Sequence, residues 1–305
     1  FDLAMTHVVN TGRYVTDNVF LNWYDVPYVD FTKPWWASST TEDLTVNNVC
    51  PLAIGDFVLN AIGRSYCVFY NKSLAENYTL ENLYDVVNDG KWTIDYIQEI
   101  TKDMYIDLNA NGKVDGDDSF GLITTPGSPV NTYLWAFGGH ILQKNQSGDV
   151  ELVYHNAKTG EMVQKLCSFF FDNEAIQNQN EDTDFPTPVH SYSLDRFIDG
   201  RSVFINNEIF ASIEYLRDMK DDYGILPYPK WDENQDKYYT MVDGSHDVLA
   251  VPITVSDPER TGIITEALCA ESYKQVVPAY YETALKTKYT RDDESIAMID
   301  MIVNS

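Results

Sequence analysis

Short apolar runs alternate with amphipathic stretches along most of the 305-residue chain. The apolar runs have the length and the β-branched or aromatic content of buried strands. They cover residues 3–9, 67–70, 120–123, 202–205, 224–226 and 248–251. Between them, apolar residues recur at three- and four-residue spacing over 92–104, 161–171, 193–199, 258–273 and 296–303, which is typical of helices with one face on a core. This alternation predicts an α/β fold in which sheets are flanked by helices.

The predicted helices begin and end at residues that stabilise helix termini. Thr93 precedes the strongest helical pattern and is a candidate N-cap. Pro258 follows Asp257, which matches the preference for proline in a first helical turn. Gly200 lies where the helix over 193–199 would end, a position that favours glycine. These signals support the boundaries that the apolar periodicity predicts.

Composition narrows the class of partner. The formal net charge of −26 disfavours nucleic acid and anionic lipid, because a surface this acidic repels phosphate. The chain holds 21 Tyr, 14 Phe and 6 Trp, enough to suggest that some aromatic side chains recognise a ligand. No apolar run approaches the roughly 20 residues that a membrane span needs.

Catalytic and zinc-binding motifs are missing from the sequence. The four cysteines contain no C-x-x-C pair and are expected to be buried free thiols. The histidines lack H-x-x-x-H spacing, and no G-x-S-x-G segment is present. Carboxylates are abundant, but no pair of them is marked out as a glycosidase acid and base. We therefore expect a protein that binds its ligand without chemistry.

The most specific local motif is a candidate calcium loop over residues 107–118, DLNANGKVDGDD. Calcium loops take oxygen ligands at positions 1, 3, 5, 7, 9 and 12 and glycine at position 6. The candidate ligands are Asp107, Asn109, Asn111, the Lys113 carbonyl, Asp115 and Asp118, with Gly112 at position 6. A strand pattern follows this loop where an EF-hand would have its second helix, so we expect structural Ca²⁺ in an isolated half-motif. The alternative is a solvated Asp- and Asn-rich turn without metal.

Three tryptophans are candidate ligand contacts. Trp35 and Trp36 follow Pro34 in a loop, where they could fill the core or form a stacking surface. Trp135 precedes Phe137 and two glycines and is open to the same two interpretations.

Five segments, in this order, resemble family 1 extracellular solute-binding proteins of bacterial ABC importers, the maltodextrin-binding type. They are CVFYNKSL at 67–74, GKWTIDYIQEI at 90–100, WAFGG at 135–139, FIDGRSVFIN at 197–206 and DYGILPYPK at 222–230. Each motif is short, but the resemblance continues with a strand-like segment at 247–254 and covers nearly the whole chain. By the same resemblance, further residues are expected before Phe1 and after Ser305.

The resemblance implies a two-lobed, type II periplasmic-binding-protein-like fold with the ligand in an interlobe cleft. Lobe 1 would contain residues 1–66 and 230–279, and lobe 2 residues 67–229 and 280–305. The chain would cross between lobes at 64–69 and 224–229. The implied ligand contacts are His7, Arg64, Ser128, Asn131, Asn206, Glu208 and Phe210, with Trp35, Trp36 and Trp135 as the aromatic candidates above. The segment after Asn206 usually contains a tryptophan in maltodextrin binders. Here it reads Asn207-Glu208-Ile209-Phe210, which argues against maltodextrin itself and leaves Phe210 as the stacking face.

The implied function is capture of a carbohydrate and its delivery to a membrane permease. The protein would be a monomeric lipoprotein on the cell surface or a periplasmic protein, with a structural Ca²⁺. One alternative is a secreted carbohydrate-active enzyme or carbohydrate-binding fragment, which would need two catalytic carboxylates. Another is an interaction or sensing module that kept the fold and lost transport.

Overall fold

A computed structural model describes residues 1–178 and 189–305. The strands are β1 (Ala4–His7), β2 (Tyr66–Asn71), β3 (Phe120–Thr124), β4 (Leu142–Lys144), β5 (Val150–Leu152), β6 (Ile176–Asn178), β7 (Ser202–Glu208), β8 (Tyr223–Leu226) and β9 (Asp247–Ala250). The α-helices are α1 (Val8–Thr16), α2 (Ser38–Leu44), α3 (Asn60–Gly63), α4 (Lys72–Asn77), α5 (Leu83–Asn88), α6 (Ile94–Thr101), α7 (Ser128–Ala136), α8 (Ala157–Phe171), α9 (Val189–Ile198), α10 (Ala211–Glu214), α11 (Pro258–Glu271) and α12 (Asp293–Val303). Ser272–Val276 and Ala279–Tyr289 are π-helical, and Trp23–Asp25 forms a 3-10 turn.

The chain divides into two compact units. The first unit contains Phe1–Arg64, Leu142–Glu151 and Val242–Leu285, and the second contains Ser65–Ile141, Leu152–Met241 and Lys286–Ser305. Each unit is therefore assembled from three separate parts of the chain.

The second unit is built on a five-stranded sheet with the order β6-β3-β7-β2-β8. β6, β3 and β7 are parallel, whereas β2 is antiparallel to both β7 and β8. Every residue of β2, β3, β7 and β8 is buried. Continuous burial explains why apolar residues follow one another over much of these strands and do not alternate with polar ones, as is usual when helices cover both faces of a sheet.

Large aromatic side chains fill the core of the second unit. Trp92, Tyr133, Phe204 and Tyr228 are all fully buried. The rings of Tyr133 and Tyr228 meet edge to face with centroids 4.9 Å apart. The indole N–H of Trp92 donates to the Pro227 carbonyl at 2.9 Å, so its polar atom is satisfied inside the core.

The first unit has a smaller core next to the antiparallel pair of β1 and β9. The register pairs Ala4 with Ala250 and His7 with Asp247. Trp23 is 1% exposed, and its indole N–H donates to the Leu249 carbonyl at 3.1 Å. Because this pair forms a two-stranded sheet rather than a covered central one, β1 alternates half-buried and exposed residues.

The structure confirms most predicted elements and corrects others. The apolar runs at 67–70, 120–123, 202–205, 224–226 and 248–251 are β2, β3, β7, β8 and β9. The predicted buried strand over 3–9 is wrong in part, because α1 begins at Val8 and Val9 is 68% exposed. Cys50, Cys67 and Cys269 are buried free thiols as expected, whereas Cys167 is free but exposed.

The observed units differ from the predicted lobes mainly over 230–241 and 142–151, and by a few residues at 65–66 and 280–285. Residues 230–241, predicted in lobe 1, belong to the second unit because Trp231, Tyr238 and Met241 pack on its aromatic core. Residues 142–151 belong to the first unit, where the Lys144 ammonium donates to the Glu42 carbonyl.

The chain leaves the first unit after Arg64, inside the first predicted crossing. It re-enters that unit over Leu142–Glu151 and again over Val242–Leu285. The second predicted crossing, 224–229, instead contains β8 and lies within the second unit, where Val68 pairs with Leu226. Next to the transitions after Arg64 and Met241, the Asp243 N–H donates to the Arg64 carbonyl at 2.8 Å in the first unit. Tyr66 N–H donates to the Met241 carbonyl at 3.1 Å in the second.

Among the described residues, no helix is both long and apolar enough to cross a membrane.

Candidate functional site

The carboxyl ends of the parallel strands β3 and β7 lie side by side in the second unit. Their register pairs Leu122 with Phe204 and Ile123 with Ile205, so the next step places Thr124 beside Asn206. Ligands of open α/β sheets bind beyond the carboxyl ends of strands, where loops and helix N-termini converge. We therefore name this region, formed by Thr124, Asn206, Glu208, Phe210 and the start of α7, the carboxyl-edge site.

Two buried polar atoms at the carboxyl-edge site have no hydrogen-bond partner among the described residues. They are the hydroxyl of Thr124, which is fully buried, and the side-chain nitrogen of Asn206, which is 2% exposed. The other amide atom of Asn206, its Oδ1, accepts from the Tyr133 hydroxyl at 3.2 Å. An unpaired buried polar group costs about 1–3 kcal/mol, so the fold carries this cost at the place where ligands of such sheets bind.

Helix α7 brings three of the predicted ligand residues to one of its faces. Ser128, Asn131 and Trp135 follow each other at spacings of three and four, which aligns them along the helix. Asn131 is exposed, whereas Ser128 and Trp135 are half-buried. Trp135 contacts His140 edge to face, with ring centroids 6.0 Å apart. The helix starts after Gly127, whose φ of 92° is strained for other residues.

The end of β7 adds a carboxylate and an aromatic ring to the same site. Glu208 is 8% exposed and lies opposite Tyr66 of β2. Burial, together with the charge of Glu208, raises the pKa of the neighbouring Cys67 thiol well above its usual value. Phe210 is half-buried at the start of α10. The structure thus places Asn206, Glu208 and Phe210 in succession along the end of β7 and the start of α10.

Of the predicted polar contacts in the first unit, His7 belongs to a polar group that includes residues not predicted. The imidazole of His7 lies 3.6 Å from Asp247, and its side chain is 50% exposed. The side chain of Asn60 donates to Asp247 at 2.9 Å and accepts from the Asp247 N–H at 3.2 Å. Arg64 is half-buried just after α3. Asn60 was not predicted, because nothing in its local sequence distinguishes it from other surface asparagines.

The tandem tryptophans have different environments. Trp36 is 4% exposed and packs on Trp23 with ring centroids 6.0 Å apart, which favours the core interpretation of this residue over the ligand-stacking one. Trp35 is half-buried, with its ring 6.4 Å from Tyr273. Glu266 accepts both indole N–H groups, at 3.0 Å from Trp35 and 2.9 Å from Trp36. This carboxylate, which was not predicted, fixes both rings within the first unit.

The candidate calcium loop is a closed turn between α6 and β3. Paired backbone hydrogen bonds of 3.0 Å join Ile106 to Ser119 at its base. Gly112 has a φ of 69°, as the sharp turn at position 6 requires. The carboxylate of Asp107 accepts from the backbone N–H groups of Asn111 and Gly112 at 3.3 and 2.8 Å. Position 1 therefore organises the first half of the loop.

The second half of the loop is organised around Asp118. This fully buried carboxylate accepts from the N–H groups of Leu108 and Asp115, at 3.2 and 2.9 Å, and from the Tyr105 hydroxyl at 2.9 Å. The carboxylate of Asp115 accepts from the side chain of Asn111 at 2.6 Å. The donor set is all oxygen, as Ca²⁺ prefers. However, no three His, Cys, Asp or Glu side chains of the described ranges are grouped to hold a metal ion.

No protein-family model matches the chain, and no curated protein matches it. Solved structures do match. M. tuberculosis UspC aligns with 99% of this chain and 74% of its own at 12% identity and a TM-score of 0.60. The ABC substrate-binding protein Lmo0181 from Listeria monocytogenes, solved with cycloalternan, aligns with 98% of this chain and 68% of its own at 11% identity and a TM-score of 0.58.

A third match is the GacH receptor of Streptomyces glaucescens, solved unliganded and in complex with acarbose and an acarbose homolog. It aligns with 99% of this chain and 72% of its own at 12% identity and a TM-score of 0.60. At such low identity the likeness establishes the architecture alone. The chain therefore shares the α/β, periplasmic-binding-protein-like fold of these three proteins.

Proposed function

We propose that this protein is the substrate-binding component of a bacterial ABC importer and that it captures a carbohydrate. The observation that carries the proposal is the carboxyl-edge site, where an amide, a carboxylate and an aromatic ring follow one another at the end of β7 in a periplasmic-binding-protein-like fold. Two proteins with this fold were solved with cycloalternan and with acarbose. That ligand chemistry suits the groups that this chain brings together.

The chemistry of the carboxyl-edge site favours a polyhydroxylated ligand. Sugar rings have apolar C–H faces that pack on aromatic rings, and their hydroxyl groups pair with carboxylates and amides. Phe210 supplies the aromatic face, Glu208 a hydrogen-bond acceptor, and Asn131 both a donor and an acceptor. An anionic ligand would be repelled by Glu208. A neutral sugar or oligosaccharide therefore fits best.

The remaining parts of the proposal follow from this role. The protein acts outside the cytoplasm as a lipoprotein or a periplasmic protein, works as a monomer and passes its ligand to a membrane permease. It does not cleave its ligand. The rival carbohydrate-active enzyme requires two carboxylates placed on either side of a glycosidic bond. Turnover of an oligosaccharide by the pure protein, abolished by a single carboxylate substitution, would favour the rival.

A ligand panel tests the proposal. Melting temperature is measured with mono- and oligosaccharides, amino acids and peptides. A ligand at about one hundred times its Kd adds about 2.7 kcal/mol of stability. Phe210→Ala should abolish the sugar-induced increase, whereas Phe171→Ala, which removes a phenylalanine 59% exposed on α8, should preserve it. An increase with peptides and none with any sugar would refute the carbohydrate assignment.

We also propose that residues 107–118 bind one structural Ca²⁺ through Asp107, Asn109, Asn111, the Lys113 carbonyl, Asp115 and Asp118. The supporting observations are the all-oxygen donor set, the turn at Gly112 and the two carboxylates that organise the loop. Chelation should lower the melting temperature of the wild-type protein.

Matched substitutions within the loop test this second proposal. Asp107→Ala should lower both the calcium content and the melting temperature. Asp117→Ala removes an exposed carboxylate from a position that is not a predicted ligand and should leave both unchanged. If calcium content is the same in the wild type and in the Asp107 variant, the loop is a metal-free turn.

A further inference from the structure

The second unit contains a cavity at the carboxyl end of α7, whereas the carboxyl-edge site lies at the start of that helix. Its volume is about 630 Å³, and its lining includes Trp231, Tyr239, Lys158, Glu161, Asn234 and Asp236. Because α7 has 9 residues, its two ends are about 13 Å apart. The volume falls within the range of about 300–1,000 Å³ that small-ligand sites occupy. We name it the Trp231 pocket.

The loop that forms one wall of the Trp231 pocket is held rigidly. The side chain of Gln235 donates to the carbonyls of Ala136 and Lys237, both at 2.8 Å, and accepts from the Trp231 N–H at 3.0 Å. The Lys230 side chain is 4% exposed, and its ammonium donates to the Gln235 carbonyl at 3.0 Å. A charged side chain buried to hold a surface loop indicates that the shape of this loop is preorganised.

Two half-buried aromatic rings line the cavity. The indole of Trp231 is held by the Lys165 ammonium, 4.3 Å from the ring centroid, and by Phe137, edge to face at 5.4 Å. The hydroxyl of Tyr239 donates to Asp236 at 3.0 Å, which fixes the phenol ring. Fixed rings with part of their surface open lose little entropy when a ligand packs on them, as in other aromatic recognition surfaces.

The polar groups around these rings differ in hydrogen-bonding character. Lys158 and Glu161 are exposed one turn apart on α8, and Asn234 is exposed on the opposite loop. No side-chain partner for these three groups is present in residues 1–178 and 189–305. They therefore offer an ammonium donor, a carboxylate acceptor and an amide that is both. The carboxylates of Asp232 and Asp236 make the pocket acidic overall, which disfavours phosphates and acidic sugars.

We propose that the Trp231 pocket is a second carbohydrate site, which binds a neutral oligosaccharide by stacking on Trp231 and Tyr239. Mixed donors and acceptors around aromatic faces match the alternating hydroxyls and C–H faces of a sugar chain. The pocket contains no residue of the carboxyl-edge site. It would hold a polysaccharide chain at the protein surface whether or not the protein transports a sugar.

The proposal is tested on the full chain labelled with 5-fluorotryptophan. The ¹⁹F NMR signals are followed during titration with maltohexaose, cellohexaose and xylohexaose. Trp231→Phe assigns the relevant signal. A shift of the Trp231 signal with at least one oligosaccharide is expected, and Asn234→Ala and Tyr239→Ala should each weaken that binding at least tenfold. Phe210→Ala, at the other site, should leave the Trp231 titration unchanged.

Each other outcome contradicts the second site. The titration extends to about 10 mM, a concentration at which weak binding is still detected. If no oligosaccharide shifts the Trp231 signal at that concentration, the pocket is not a sugar site. An unchanged affinity in both Asn234→Ala and Tyr239→Ala refutes the proposed contacts. If Phe210→Ala removes the Trp231 shift, the signal reports the carboxyl-edge site instead. If Phe210→Ala loses the sugar-induced increase in melting temperature but keeps the Trp231 titration, the two sites bind independently. The two proposals can therefore fail separately.

Discussion

Replacing Thr124 by valine should stabilise the second unit. The two side chains have nearly the same shape, so the substitution removes the hydroxyl without opening a cavity. That hydroxyl is fully buried and has no partner in the described part of the chain. An unpaired buried polar group costs about 1–3 kcal/mol, and replacement by an apolar group of equal shape removes this cost. We expect the free energy of unfolding to rise by about 1–2 kcal/mol. In a domain of this size, each kcal/mol raises Tm by about 2–4 °C.

Thr101→Val is the matched control. Thr101 is also fully buried, but its hydroxyl donates to the Ile97 carbonyl at 2.7 Å and accepts from the Asn173 side chain at 3.2 Å. The same substitution therefore leaves one acceptor and one donor without their partner, and we expect destabilisation by about 1–3 kcal/mol. Urea unfolding of both variants at pH 7 measures the two changes. Equal destabilisation of the two variants would refute the assignment of an unpaired hydroxyl at Thr124.

Two further predictions concern the first unit. Glu266→Gln should lower the free energy of unfolding by about 1–3 kcal/mol, because one amide oxygen cannot replace both carboxylate oxygens that accept from Trp35 and Trp36. Urea unfolding followed by tryptophan fluorescence measures this change. An unchanged unfolding midpoint would contradict the prediction. Burial raises the pKa of Asp56 to about 6. The folded protein then binds more protons than the unfolded chain between about pH 4 and pH 6, so this residue lowers stability as the pH rises through that range. In Asp56→Asn this contribution should disappear, and the same pH dependence in both proteins would show that Asp56 is not its source.

The sequence predicts best those elements that are buried on every side. β2, β3, β7 and β8 are predictable because both faces of each strand are buried, so apolar residues follow one another over much of its length. The N-cap of α6 was also found, since the Thr93 hydroxyl accepts from the Tyr96 N–H at 3.2 Å. Local patterns of this kind depend only on neighbouring residues.

Features that depend on distant partners could not be predicted in this way. β6 has 3 residues, too few for a pattern, and it exists because it pairs with β3. The tryptophan pair gave no sign that Trp36 would be buried, because the acceptor for its N–H comes from Glu266, 230 residues away. The unpaired groups of Thr124 and Asn206 likewise depend on two strands meeting. Sequence reasoning placed Asn206 in the site through a resemblance and missed Thr124 altogether.

The pairing of β1 with β9 affects how the protein folds during synthesis. Ala4 pairs with Ala250, so the first strand leaves the ribosome long before its partner has been made. At about 5–20 residues per second, translation of the intervening chain takes on the order of 12–50 s. The strands of the second unit's sheet are all complete within that interval, since β8 ends at Leu226. The early segments of the first unit therefore emerge without their partner strand, and they are candidates for chaperone contact until β9 has been made.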